Sequence, residues 1–166
     1  MPRIGAATAA LLLLTATGAL AGETLPDAIQ APGEAAVVTL HAEGAQVYEC
    51  KASADGKLIW VFREPIATLF ENGKTVGRHY AGPNWEHADG SAVTGKAIGN
   101  APGATANDIP LLKLEVVARR GSGTLANIAT VQRINTAGGK LDGACDKAGA
   151  FRSIPYSADY VFLRKG

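Results

Sequence analysis

Asp55-Gly56-Lys57-Leu58-Ile59-Trp60-Val61-Phe62 decides how the chain is read. A turn pair leads into strict alternation, with Leu58, Trp60 and Phe62 on one face and Ile59 and Val61 on the other. A repeat of two is the side-chain period of a strand. Both faces are apolar, so this strand reads as buried on both sides. Leu112, Leu114 and Val116 alternate with Lys113 and Glu115, the pattern of a strand with one wet face. Outward from these two stretches, β-branched and aromatic runs are closed by Asp55-Gly56, Asn72-Gly73, Asp89-Gly90, Gly121-Ser122-Gly123 and Gly138-Gly139, the residue types that tight hairpin turns favour. Further strands are read at residues 36–41, 46–51, 66–71, 75–80, 91–98, 128–134 and 157–163. Roughly eight or nine short antiparallel strands predict an all-β single domain, a sandwich or a barrel. Leu125, Ile128, Val131 and Ile134 have helical spacing. No capped helical stripe surrounds them, and the segment is read as strand. The Pro- and Gly-containing stretch 99–110 reads as a surface crossover, the alternative being a lid over a site.

The chain has 166 residues, 47% hydrophobic and 19% charged, with 16 Lys+Arg against 15 Asp+Glu. That is material for one packed domain. Its balanced charge gives no general attraction to phosphate backbones, so nucleic acid is not an expected partner. Residues 1–21 read as a secretory signal peptide, with Arg3, an apolar run from Ala6 to Leu20, and Ala19 and Ala21 forming an A-x-A cleavage site. Thr15, Thr17 and Gly18 interrupt the run, against a spanning helix, which needs about 20 strongly apolar residues. No Cys adjoins the expected cut and no Arg pair precedes the run, so neither a lipid anchor nor folded export is indicated. The mature chain is then expected to have an extended lead-in over 22–34 and one β-rich domain over 35–166. No membrane span is expected in it, and the expected location is the periplasm or the exterior. In such an oxidising compartment the two cysteines, Cys50 and Cys145, are predicted to form a disulfide. Their wide spacing and the lack of a C-x-x-C make a redox motif or zinc site the weaker reading.

Residues 77–95 (GRHYAGPNWEHADGSAVTG) pack histidines, acids and aromatics around a Gly82-Pro83 turn. His79, Glu86, His87 and Asp89 are nitrogen and oxygen donors of the kind zinc or copper accepts. Their spacing matches no named motif, and Glu86 and His87 face opposite ways in a strand, so no metal is assigned. Tyr80, Trp85, Tyr156 and Tyr160 are amphipathic rings able to stack on a flat ligand. Tyr156, Ala158, Tyr160 and Phe162 also share the period of a core strand. Gly121-Ser122-Gly123-Thr124-Leu125-Ala126 matches a dinucleotide fingerprint in letters. It lacks the following helix and the βαβ surroundings that the fingerprint needs, and no cofactor is indicated. A nucleophile elbow, a Walker loop and H-E-x-x-H are absent.

Ala45-Gln46-Val47-Tyr48-Glu49-Cys50, Trp60-Val61-Phe62, Gly77-Arg78-His79-Tyr80-Ala81-Gly82-Pro83-Asn84-Trp85-Glu86, Asp89-Gly90-Ser91, Ile109-Pro110, Val131-Gln132-Arg133-Ile134-Asn135-Thr136, Gly138-Gly139, Cys145 and Pro155-Tyr156-Ser157-Ala158-Asp159-Tyr160 occur in that order. This ordered series resembles the secreted family catalogued as domain of unknown function 3455, over about residues 26–163. The resemblance implies a signal-bearing, β-rich extracytoplasmic domain of bacteria and fungi. It also implies that His79, Tyr80, Trp85, Glu86, Asp89 and the block from Tyr156 to Tyr160 belong to the family pattern, while His41 and His87 do not. Some members carry a malate dehydrogenase label, which nothing in this sequence supports.

The sequence therefore predicts an exported module that binds a small molecule or glycan, with His79, Tyr80, Trp85, Glu86, Asp89, Tyr156 and Tyr160 as candidate contacts. One alternative is a secreted hydrolase-like enzyme using His79 with Glu86 or Asp89. A second is a structural envelope protein.

Overall fold

Successive strands pair side by side into a single ring. The computed structural model describes residues 24–166, and the expected signal segment over 1–21 lies outside them. The strands are β1 (Glu34–Ala52), β2 (Leu58–Glu71), β3 (Lys74–Tyr80), β4 (Asn84–His87), β5 (Ala92–Ala101), β6 (Leu111–Arg120), β7 (Thr130–Gly138) and β8 (Phe151–Lys165). Each runs antiparallel to its predecessor, and β8 returns to pair with β1, closing the sheet into an up-and-down barrel. Of the two predicted architectures, sandwich and barrel, the barrel is the one formed. The seam is long, running from Glu34 opposite Lys165 to Glu49 opposite Phe151.

The two-residue period fills the interior. Leu40 and Ala42 on β1, Ala67 and Leu69 on β2, and Ala158, Tyr160 and Phe162 on β8 lie in one buried core with Trp85, Val93, Leu114 and Val131. Opposite parity leaves Arg78, Glu86 and Arg120 on the outer wall, where both arginines meet Glu86 at 3.1 and 3.0 Å.

The two ends of the barrel differ. One end is closed by residues 121–129, which bury Leu125 and Ile128 completely. Asp89 fastens this plug: its carboxylate accepts from the Ser91 hydroxyl and from the Thr124 backbone N–H, at 2.6 and 2.7 Å. The other end is open. Residues 102–110 rise there and are clamped to β7, with Gly138 N–H donating to the Asp108 carboxylate at 2.6 Å and Ile109 N–H to Gly138 O at 2.9 Å. Residues 139–150 strap the rim: Trp60 N–H donates to Gly143 O and Cys145 N–H to Leu58 O, both at 3.1 Å. The Cys50–Cys145 disulfide pins that strap to β1. The rim is uneven, because the β2–β3 ladder reaches only Ala67 opposite His79 while β2 continues to Leu58.

Several boundaries differ from the sequence reading. The separate strands expected at 36–41 and 46–51 are one strand, β1. Gly44 permits it: a Cβ there would lie 2.0 Å from Ile66 O, so the chain passes straight through a contact that any side chain would block. The strands expected at 58–62 and 66–71 likewise merge as β2. Pro65 lies beyond the end of the β2–β3 ladder, so its missing N–H forfeits no bond to β3. β4 has no counterpart among the expected strands, because four residues are too few to show a period. The lead-in is not simply extended. It forms a short 3-10 turn (Asp27–Ile29) and buries Ile29, whose carbonyl accepts from Gln132 Nε2 at 2.6 Å.

Candidate ligand-binding site

The inward side chains at the open end do not meet. Below them the core is packed, and above them a cavity of about 640 Å³ remains, opening to solvent between the four loops of that end. Its floor is aromatic. His79, on the last turn-ward residues of β3, stacks on Trp85 of β4 at 4.5 Å between ring centroids and 9° between planes. Tyr160 of β8 closes against both rings, at 4.9 and 5.2 Å. The walls carry Gln46 and Tyr48 from β1, Trp60 and Phe62 from β2, Leu112 and Leu114 from β6, and Arg133 from β7. Ile109 and Pro110 show that the 99–110 stretch ends as a fixed part of this wall. Lys140, Leu141 and Asp142 of the strap complete the rim.

Polar groups are few, and their states follow from burial. The His79 Nδ1–H donates to Asn84 O at 2.8 Å, which leaves Nε2 as the bare acceptor nitrogen. Burial pushes the imidazolium of His79 down to about 3, so the ring is neutral near pH 7. Tyr156 and Tyr160, with hydroxyls 3.4 Å apart, are pushed upward by burial and stay protonated. Tyr48 is raised by burial as well, and its hydroxyl donates to Gly139 O at 2.8 Å. That contact fixes the start of the strap. Gly139 has φ +83°, and a Cβ there would sit 2.8 Å from Tyr156 and 3.0 Å from both Gln46 and Ile109.

Charge in the cavity is unevenly paired. Arg63 meets Glu64 at 3.2 Å and Lys140 meets Asp142 at 3.4 Å. Arg133 uses Nε to donate to Pro110 O at 3.0 Å. It has no acidic partner within ion-pair distance among the described residues. Two N–H groups behind the lining, Gln46 Nε2 and Trp85 Nε1, are buried without a hydrogen-bond acceptor among the described residues.

The structure divides the sequence candidates into three groups. His79, Trp85 and Tyr160 come together in the cavity, while Tyr156, whose hydroxyl is 3.4 Å from that of Tyr160, lies nearer the rim on β8 and is buried against Gly139 of the strap rather than lining the cavity. Tyr80 and Glu86 stand on the outer wall, where the Tyr80 hydroxyl donates to the Glu86 carboxylate at 3.1 Å. Hydrogen bonds from Arg78 and Tyr80 hold that carboxyl below its usual range. Asp89 sits at the closed end beside His87, at 2.9 Å. Burial opposes its charge, yet hydrogen bonds from Ser91 and Thr124 hold it well below the carboxylate range. Neither Glu86 nor Asp89 is brought to His79. No group of three or more His, Cys, Asp or Glu side chains among the described residues is placed to hold a metal ion.

Gln46, Tyr48, Trp60, Arg133 and Lys140 are lining residues that the sequence reading did not single out. Parity offered a signal for two of them. Gln46 shares the inward face of Tyr48 and Cys50, and Arg133 that of Val131. A polar residue at an inward position of a strand needs a partner or solvent there, which a lined cavity can supply.

No curated protein and no solved structure matches this chain. The family described as Protein of unknown function (DUF3455) matches residues 31–164, from just before β1 to the last residues of β8. The match takes in the whole barrel, its strap and both cysteines, and the chain belongs to that family.

Proposed function

We propose that this protein is an exported barrel that binds a small organic molecule in the cup at its open end. The observation that carries the reading is the cavity itself, about 640 Å³ above a packed aromatic floor, within the range of small-molecule sites. Its lining is mainly carbon, which suits an apolar body better than a sugar's ring of hydroxyls. The disulfide supports export, since it suits an oxidising compartment, and the ion pairs of the outer wall, such as Arg78 with Glu86 and Lys96 with Glu115, set the barrel apart from a lipid-facing one, which needs an apolar band there.

Both tryptophans of the chain, Trp60 and Trp85, line the cup, so intrinsic fluorescence reports directly on its contents. The neutral dye N-phenyl-naphthylamine is expected to accept energy from them with one-to-one stoichiometry. Ala97→Trp, which adds bulk to the cavity wall, is expected to block uptake. Dye binding that Ala97→Trp leaves unchanged removes the cup as the site.

A further inference from the structure

We infer that the ligand of this cup is an organic anion, a flat apolar body carrying a carboxylate or related oxyanion that sits on Arg133. The inference rests on the reading of the cup as a binding site and names the chemistry that fills it.

Arg133 lies on β7 between Leu112 of β6 and Tyr160 of β8, inside the ring of strands. Its Nε–H is held by Pro110 O at 3.0 Å, which orients the guanidinium plane. The guanidinium also lies beside the Tyr160 hydroxyl, and no acid among the described residues pairs with its terminal nitrogens, whose fork matches a planar carboxylate. The other two cations of the lining, Arg63 and Lys140, already have Glu64 and Asp142. Asp142 is also the acid of the lining. Arg133 thus leaves the cup with an uncompensated positive charge.

A ligand that fills the cup removes the water now solvating that charge. A neutral ligand leaves the guanidinium stripped and unpaired, and a cation adds repulsion. An anion replaces the lost hydration with a charge-assisted pair. The stacked His79 and Trp85 rings, with Tyr160 across them, provide faces for a flat body.

The test is calorimetric titration of the mature protein with four naphthalenes of one shape: the carboxylate, the phosphate ester, the neutral carboxamide and the aminomethyl cation. The expected order is anions first, with the carboxylate at least about tenfold tighter than the carboxamide and the cation weakest. The phosphate ester binding more tightly than the carboxylate would keep the anion and identify a phosphorylated ligand. Arg133→Met is expected to weaken the carboxylate by about ten- to a hundredfold and to leave the carboxamide within about threefold. The wild-type series stands even where that variant does not fold. Equal affinity for carboxylate and carboxamide overturns the anion while leaving the cup a binding site. No binding by any of the four overturns both.

Discussion

Acidification from pH 7 to pH 5 is expected to weaken the fold through His79. In the unfolded chain this imidazole takes up a proton around pH 6.5, whereas in the barrel burial keeps it neutral down to about 3. Between those values the unfolded state binds a proton that the folded state refuses, so stability falls as pH falls. Linkage gives about 1.4 kcal/mol per pH unit well inside the window, or about 2 kcal/mol lost by pH 5. That is a sizeable part of the roughly 5–15 kcal/mol of a typical domain. His79→Phe keeps a ring against Trp85 and removes the titration. It also orphans Asn84 O, a pH-independent loss of about 1 kcal/mol. Urea unfolding of both proteins at pH 7, 6 and 5 separates the two effects. The wild type is expected to lose about 2 kcal/mol relative to the variant across that range, and parallel pH dependences would refute the reasoning. His41 and His87 are present in both proteins and drop out of the difference. Asp89 and Glu86, whose folded values are lowered, contribute stability above the carboxylate range and lose it only at lower pH.

Replacing Cys50 and Cys145 by Ser is expected to lower unfolding stability by about 2–5 kcal/mol, and dye uptake should weaken with it because the strap bearing Lys140 and Asp142 loses its pin. Asp89→Asn weakens the charge-assisted bonds to Ser91 and Thr124 at the closed end. About 1–2 kcal/mol of stability should be lost in urea, with ligand affinity per folded molecule unchanged. Gly139→Ala forces a side chain into a positive φ and against Tyr156 and Gln46, a destabilisation of about 1–3 kcal/mol readable as a lowered thermal midpoint.

The strands were legible wherever one face repeated at a period of two, as from Leu58 to Phe62 and from Leu112 to Val116. Closure was not, since pairing Glu34 with Lys165 is a relation between residues at opposite ends of the sequence with no local signature. Gly44 falls in the gap between the strands expected at 36–41 and 46–51, while in the barrel it marks one strand passing close to its neighbour. The segment from His79 to Asp89 is dense in polar and aromatic side chains. In three dimensions that density is split by strand parity, with His79 and Trp85 inward, Tyr80 and Glu86 outward, and Asp89 at the far end. For Arg133 the one signal is its parity with Val131, and a single cation among apolar strand residues looks like an ordinary wet-face residue until that face is known to be the inner one.

The uneven rim bears on how the ligand could be fished out. Beside the short β3–β4 hairpin the wall stops near Pro83, while β2 climbs to Leu58 and β5 to Ala101 on either side. The strap, the disulfide and the 102–110 segment fence the remaining rim. A molecule held by its charged end on Arg133 therefore has one side over which a spacer arm can leave without displacing chain. A resin for affinity capture should carry the bait by the end remote from its anionic group, with the tether exiting across Pro83.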